Sequence, residues 1–399
     1  MDKIKILQYD IVICGAGPAG LKAAYEIQKK SRGIYKVLLL DKKEPWTEPA
    51  FCAEAVSLDR LSKLWEPKKE WVRQSISGIY FTSPSRKRAE FYSKDCGVIL
   101  NRPLFHKDIA DAATDIGVLS HFNTQCTKLN YEPNGQWNLS VKRDGEALDI
   151  RTTVLIDATG AGAKLSKSVP ELAGLEAGNI DLESAIFAIV EGVEHSKEHI
   201  ELFFGSEFPG GYAWLFPRDH NQVNIGLVLG RDAPKTHSLK KQLERFISKD
   251  YPNAKIKGVF GGMIACGQSK KAIARNGYFK VGDSASVVNP ISRSGIVESM
   301  LNAELLSDCV LRWMSEDSFE NRQKIEKNYL DLWMKALGKE HMRLYKAKRV
   351  FSKVTDKQFN KATHRLSRLS REKTSLFRIV IAVLISTPSL IWKMRSFIR

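Results

Sequence analysis

Residues 9–27 read YDIVICGAGPAGLKAAYEI. An apolar run, Ile11 to Cys14, feeds Gly15-x-Gly17-x-x-Gly20, and a helical pattern follows through Ile27. In such a strand–loop–helix unit the first glycine permits the tight turn and the second lets a pyrophosphate approach the backbone. The third lets helix and strand pack closely. N–H groups at the helix start then face the phosphates. KVLLLD (36–41) supplies a second strand ending in Asp41, 21 residues after Gly20 and placed to accept from ribose hydroxyls. Strand, loop, helix, strand and acid in this order predict a dinucleotide site on an α/β sheet.

The chain has 399 residues, enough for two or three domains with buried cores. Its net charge of +17 is concentrated at one end. Residues 341–399 hold 15 Lys and Arg against Asp356 and Glu372, a net of +13, which leaves +4 for the other 340 residues. IVIAVLISTPSLIW (379–392) is an uncharged run of 14 residues between Arg378 and Lys393. That is short of the ~20 residues of a spanning helix, and Pro388 interrupts it. Cations flanking a short apolar stretch predict a segment, 374–399, lying in the interface of an anionic membrane. The alternative is a C-terminal helix docked on the body.

The N-terminus runs straight into a strand with no apolar secretion signal. Six cysteines without CxxC spacing read as reduced thiols. The expected location is therefore cytoplasmic, peripheral to the inner face of the membrane. His195 and His199 lack a third ligand nearby, so no metal site is expected. No nucleic-acid-binding module accompanies the basic tail, and no nucleic-acid partner is expected.

Two later stretches extend the first motif. TTVLIDATGAG (152–162) is a strand ending in a tight turn that contains Asp157 and Gly160. GYFKVGDSASVVNPISRSGIVESMLNAELLSD (277–308) is a strand, then Gly282-Asp283, a loop with Pro290, and a long helix from about Gly295. The trio of GAGPAG, DATG and GDSA…NP…GI resembles the FAD-binding pattern of the glutathione-reductase-type fold in its hydroxylase-like branch. The resemblance implies FAD held by Gly15, Gly17, Ala19, Gly20, Asp41, Asp157, Gly160, Gly282, Asp283, Pro290, Gly295 and Ile296. It also points the last helix at the pyrimidine end of the flavin, where its partial positive charge favours the anionic reduced form.

EPAFCAEAVSLDRL (48–61), ILNRPLFHKDIADAA (99–113) and PGGYAWLFPRDHNQVNIGLV (209–228) narrow the likeness. Together they resemble the geranylgeranyl reductase family, flavoenzymes that saturate isoprenoid double bonds in lipids, quinone side chains or pigment precursors. The resemblance covers about residues 8–308. It implies a turn near the flavin at Cys52-Ala53-Glu54, FAD binding by Arg102, and a pocket built on a PxxYxWxFP signature. That signature matches Pro209, Tyr212, Trp214, Phe216 and Pro217. Tyr212 and Trp214, two apart on a strand, share one face, and their rings offer apolar area and negative π-faces to a cationic transition state. The sequence departs from the family in two places. Gly226-Leu227-Val228 lacks a second glycine, and Ser292-Arg293-Ser294-Gly295 replaces a glycine-rich loop, which would let Arg293 reach into the pocket toward an anionic headgroup.

The expected architecture is a discontinuous Rossmann-like FAD domain (1–72, 97–175 and 270–325) with a largely antiparallel substrate domain (73–96 and 176–269). A basic helical region (326–399) follows. The expected reaction is reduction of an isoprenoid alkene by hydride from reduced FAD. Proton donor candidates are Tyr212, Cys52 and a water near Glu54. The electron donor is expected to be ferredoxin, another flavoprotein or NADPH. Alternatives on the same fold are a monooxygenase or halogenase, for which YAWLFP is a faint signal, and a quinone-linked dehydrogenase. A non-enzymatic prenyl carrier would not need the intact phosphate loop.

Overall fold

The computed structural model describes residues 6–368 apart from 49, 164, 176–181, 232, 234–237 and 268–271. The segment 374–399, expected at a membrane interface, lies outside the described residues. The described residues form two compact units: those within 1–50, 102–181 and 265–342 make the first, and those within 51–101, 182–264 and 343–368 the second.

In the first unit Ile6–Cys14 is a central strand, parallel to Val37–Leu40 on one side and to Glu146–Asp157 on the other. Leu119–His121 extends the sheet beyond Val37–Leu40, and Tyr278–Lys280 extends it beyond Glu146–Asp157, both in parallel. Residues Ile11 to Ile13 and Val37 to Leu39 have no solvent exposure. Such continuous apolar runs are what a parallel sheet covered on both faces requires. The Asn-Gly signal at 134–135 marks the hairpin of Thr124–Tyr131 and Trp137–Arg143, closed by the pair Tyr131–Trp137. Helices Pro18–Ser31, Arg102–Asp115, Ile296–Met314 and Phe319–Trp333 complete the unit.

The second unit is built on an eight-stranded sheet. Its order is Lys255–Ala265, Leu182–Glu191, Gln222–Leu229, Tyr212–Pro217, His199–Phe203, Val72–Thr82, Arg88–Leu100 and Ala55–Val56. The pair His199–Phe203 with Val72–Thr82 is parallel, while the three other pairs that flank them are antiparallel. Side chains alternate between the two faces, as period 2 demands. Ala188, Val190, Ala213, Leu215, Ile225 and Leu227 pack on one face with Leu243 and Phe246 of helix Leu239–Asp250. Phe187, Ile189, Trp214 and Phe216 belong to the other.

The unit boundaries all differ from those read in the sequence, most of all in the first excursion into the second unit, 51–101 against the expected 73–96. Ala55 pairs with Ile99 and Val56 with Val98, which draws 51–72 and 97–101 into the second unit. Strand pairing carries the assignment, and pairing across more than 40 residues leaves no local signal. The basic helical region is also shared, because the division falls inside helix Lys339–Phe351.

Asp157 closes its strand as a fully buried carboxylate. It accepts from the Tyr278 hydroxyl at 2.5 Å, from Thr159 Oγ1 at 2.6 Å and from the Thr159 N–H at 3.0 Å. Burial and the adjacent carboxylate push the Tyr278 phenol well up, so it stays a donor. Tyr278→Phe should leave that buried carboxylate short of a partner and cost about 1–3 kcal/mol in a chemical denaturation curve. An unchanged unfolding midpoint would show that the hydrogen bond contributes nothing.

Candidate functional site

The three glycine-bearing motifs of the first unit meet in space. A Cβ placed on Gly15, which has φ of +112°, would lie 2.2 Å from the Ala158 carbonyl oxygen. One on Gly20 would lie 1.8 Å from the Gly15 oxygen, and one on Gly282 would lie 2.7 Å from the Ala19 Cβ. These glycines are therefore demanded by the protein's own packing. Gly17 is different. A Cβ there meets nothing within 4 Å, and its φ of −74° and ψ of −177° suit any residue. Nothing in the protein requires glycine at 17, so the open space beside it fits a ligand's approach to the backbone. No side chain caps helix Pro18–Ser31, and its first turn carries no acid, which suits an anion at its N-terminus.

Asp41 sits at the rim of this cradle, but its carboxylate already works on the loop. Oδ2 accepts from the Ala16 N–H at 2.7 Å and Oδ1 from the Lys43 N–H at 3.2 Å. Arg102 opens helix Arg102–Asp115, and its Nε–H donates to His106 Nε2 at 3.2 Å. The other ring nitrogen, Nδ1, must then carry the proton it gives to the Pro45 carbonyl at 2.8 Å. Burial, with the Arg102 charge beside it, drives His106 down to about 3, so the ring is a neutral acceptor that orients the guanidinium. Sequence reading passed over His106, although its place one helical turn after Arg102 was visible.

Asp283 follows Gly282 in a short turn whose Gly282 N–H donates to Asn302 Oδ1 at 3.0 Å. Burial lifts its carboxyl to about 6, with Arg102 opposing and Glu298 assisting. The Asp283 Oδ1 faces Gly295, the uncapped start of helix Ile296–Met314. Between them the Pro290 loop is organised by Asn289, whose Oδ1 accepts from the N–H groups of Ile291 and Ser292, both at 3.0 Å. Arg293, at φ of +59°, turns Nη1 back on its own loop to the Ile291 carbonyl at 2.6 Å.

In the second unit, Trp214 stands opposite Gly226 on the neighbouring strand. The indole lies across that glycine: a Cβ there would fall 2.2 Å from its Cζ2. Its Nε1–H donates to Asn224 Oδ1 at 2.8 Å, and Asn224 Nδ2 donates to the Cys52 carbonyl at 3.2 Å. Asn224 was not singled out from sequence; its signal is a buried amide within the apolar run QVNIGLVL. Cys52 Sγ accepts from the Glu54 N–H at 3.2 Å. Glu54 is 1% exposed, holds a left-handed φ of +66°, and is ion-paired to Arg218 and, at 3.9 Å, to Arg73. Arg73 in turn binds Asp219 at 2.8 Å. Cys52, Glu54 and Trp214 are thus one connected network, while Tyr212 and Phe216 flank the indole with ring centroids 6.2 and 6.3 Å away.

This sheet region also matches known proteins by sequence. Residues 181–264 match the geranylgeranyl reductase catalytic domain. The likeness read from the signature motifs is borne out. Along 98% of its length the chain is 28% identical to digeranylgeranylglycerophospholipid reductase 2 of Methanococcoides burtonii, of which it covers 96%. It is equally similar, at 28%, to the digeranylgeranylglycerophospholipid reductase of Methanothrix thermoacetophila, covering all of it. The fold is that of a geranylgeranyl bacteriochlorophyll reductase-like protein of Thermoplasma acidophilum, with a TM-score of 0.87 at 20% identity over 98% of this chain and 100% of that one. A flavin-dependent brominase superposes less closely, at a TM-score of 0.66 and 16% identity over 98% and 100% of the two chains. Among the described residues no group of three His, Cys, Asp or Glu side chains gathers as a metal set, and no helix is long and apolar enough to cross a membrane.

Two predictions follow from the cradle geometry. Gly17→Ala should leave the unfolding midpoint of the ligand-free protein unchanged yet weaken retention of a bound dinucleotide, whereas Gly15→Ala should cost upward of about 1–3 kcal/mol of stability. Equal melting shifts would contradict the distinction. His106 is held below its unfolded value of about 6.5, so the unfolded chain binds the extra proton and stability falls as pH drops from there toward 3. The loss should approach about 1.4 kcal/mol per pH unit, and His106→Gln should flatten it in paired denaturation curves.

Proposed function

We propose that the chain is an FAD-dependent reductase that saturates isoprenoid double bonds of a geranylgeranyl-type lipid. The carrying observation is the catalytic-domain match over 181–264, which falls on the strands that present Trp214 and its neighbours. Relatives similar along nearly the whole chain are named as reductases of a digeranylgeranyl glycerophospholipid, which supports a prenylated lipid substrate.

The first unit's residues fit FAD. Gly17 and the uncapped helix start would receive the pyrophosphate, Asp41 the ribose, and Arg102 and the Gly282–Asp283 turn the remaining polar groups. Bound and reduced, FAD supplies the hydride. The second unit's apolar face would hold the alkene chain against Trp214, Phe187 and Ile189 and exclude water from it. The indole face also favours positive charge as it develops at the substituted carbon.

A proton must reach the neighbouring carbon. Glu54 is poorly suited to give it, because the Arg218 guanidinium holds its Oε2 as an acceptor and the Arg73 charge lies 3.9 Å from the same oxygen. Cys52 Sγ, the Tyr212 hydroxyl and a water near Glu54 remain as donors. Asn224 and Glu54 fix the Cys52 turn from both sides, one at its carbonyl and one through its Sγ.

The test is strictly anaerobic. Flavin reduced on the purified protein should reoxidise when a geranylgeranyl glycerophospholipid is added, with saturated product in step. Trp214→Ala should slow that reoxidation about tenfold or more while FAD stays bound. Flavin that stays reduced with the lipid present, together with an oxygenated product once air is admitted, would instead mark a monooxygenase.

A further inference from the structure

A cavity of about 510 Å³ opens in the second unit between the Gly205–Gly211 turn and the link joining helices Lys339–Phe351 and Asp356–Leu366. Its size is that of a small-molecule site, roughly 300–1,000 Å³. Its inner wall is apolar and continuous with the signature face. Tyr212 meets Phe204 at 6.0 Å between ring centroids, and Phe204 meets Phe351 at 5.7 Å and Phe359 at 5.8 Å. Phe351 and Phe359 both line the cavity. An unbroken row of rings therefore runs from Trp214 through Tyr212 to this opening.

The rim is cationic. Lys353 and Lys357 line the cavity and are exposed. Residues 343–366 carry eight Lys and Arg against the single acid Asp356, and Lys348 is buried in an ion pair with Glu183. Asp356 is itself taken up by the fold, accepting from the Ser206 N–H and hydroxyl at 2.7 Å each. The close Gly210–Gly230 approach, 3.0 Å from a Cβ on Gly210 to the Gly230 Cα, leaves the Pro-Gly-Gly turn thin on this side.

We propose that this cavity is the subsite for the phosphate-bearing headgroup of the lipid, read by Lys353 and Lys357, with the aromatic row carrying the first part of the chain inward. The inference rests on the reductase reading and adds specificity to it. A phosphate needs concentrated positive charge, which the two-helix link supplies, and a prenyl chain needs a dry apolar path, which the rings supply. Charge complementarity at a solvent-exposed mouth also steers an anionic substrate to the right end of the pocket.

The experiment compares an isoprenoid glycerophosphate with the matching prenyl alcohol, both below micellar concentration, on the full-length FAD-loaded protein. In Lys353→Glu/Lys357→Glu the Kd for the phosphate lipid, read by tryptophan quenching, should rise about tenfold or more, a change of ~1.4 kcal/mol. Affinity for the alcohol should stay within about twofold, and the melting temperature should hold because both lysines are exposed. Equal losses for both ligands, or no loss for either, would overturn the assignment. Calorimetry with inorganic phosphate separates the two sources of this anion: tight binding of phosphate alone, with lipid affinity unmoved by the variant, marks a free-anion site and also overturns it. Because Kd is measured without turnover, a failure of flavin reoxidation would sink the reductase reading and leave this result standing.

Discussion

Backbone contacts that admit no side chain hold the first unit's motifs together. Gly15 rests on the Ala158 carbonyl, Gly20 on Gly15, and Gly282 on Ala19, so three segments separated by more than 100 residues each share one small volume. The parallel register Cys14–Asp157 and Cys14–Leu40 brings the strand ends level there. Ligands of open α/β sheets bind outside the carboxyl ends of the strands, and this is such a place. Any bulk added at those three glycines would part the loops before it touched a ligand. Gly17, at a φ that any residue adopts, is left with space to its side, which separates the requirement of binding from that of folding.

The second unit depends on strand alternation in the same way. One face of its sheet is spent on helix Leu239–Asp250, and the other carries Trp214, Phe216, Phe187 and Ile189. Gly226 lets the indole lie flat on the sheet, and Asn224 satisfies its N–H while tying down the Cys52 turn. A buried indole needs such a partner. The strained Glu54 backbone is retained because Arg218, Arg73 and the Leu100 N–H, at 2.9 Å from the Glu54 carbonyl, over-determine it.

Much of this was legible in the chain. The glycine spacing, the apolar strand runs and the Pro-Gly-Gly-Tyr-Ala-Trp stretch each have local signatures. Pairings between distant segments were not legible. Ala55–Val56 joins Arg88–Leu100 only through tertiary contact, and so the unit boundary shifts. His106, Asn224 and Arg218 gain their roles from neighbours that the chain brings from elsewhere, or, for His106, from burial that cancels its charge. The basic C-terminal charge, read as a membrane feature, is in part placed on helices that border a cavity of the second unit.

The central claim is that reduced flavin held by this protein hands hydride to an alkene while the protein or its water supplies the proton. The most direct measurement is the isotope content of product formed anaerobically in deuterium oxide, where the flavin's transferable hydrogen has exchanged with solvent. The account predicts a saturated lipid with one deuterium on each of the two former alkene carbons. A lipid recovered with its double bond intact, or bearing oxygen in place of deuterium, would contradict it.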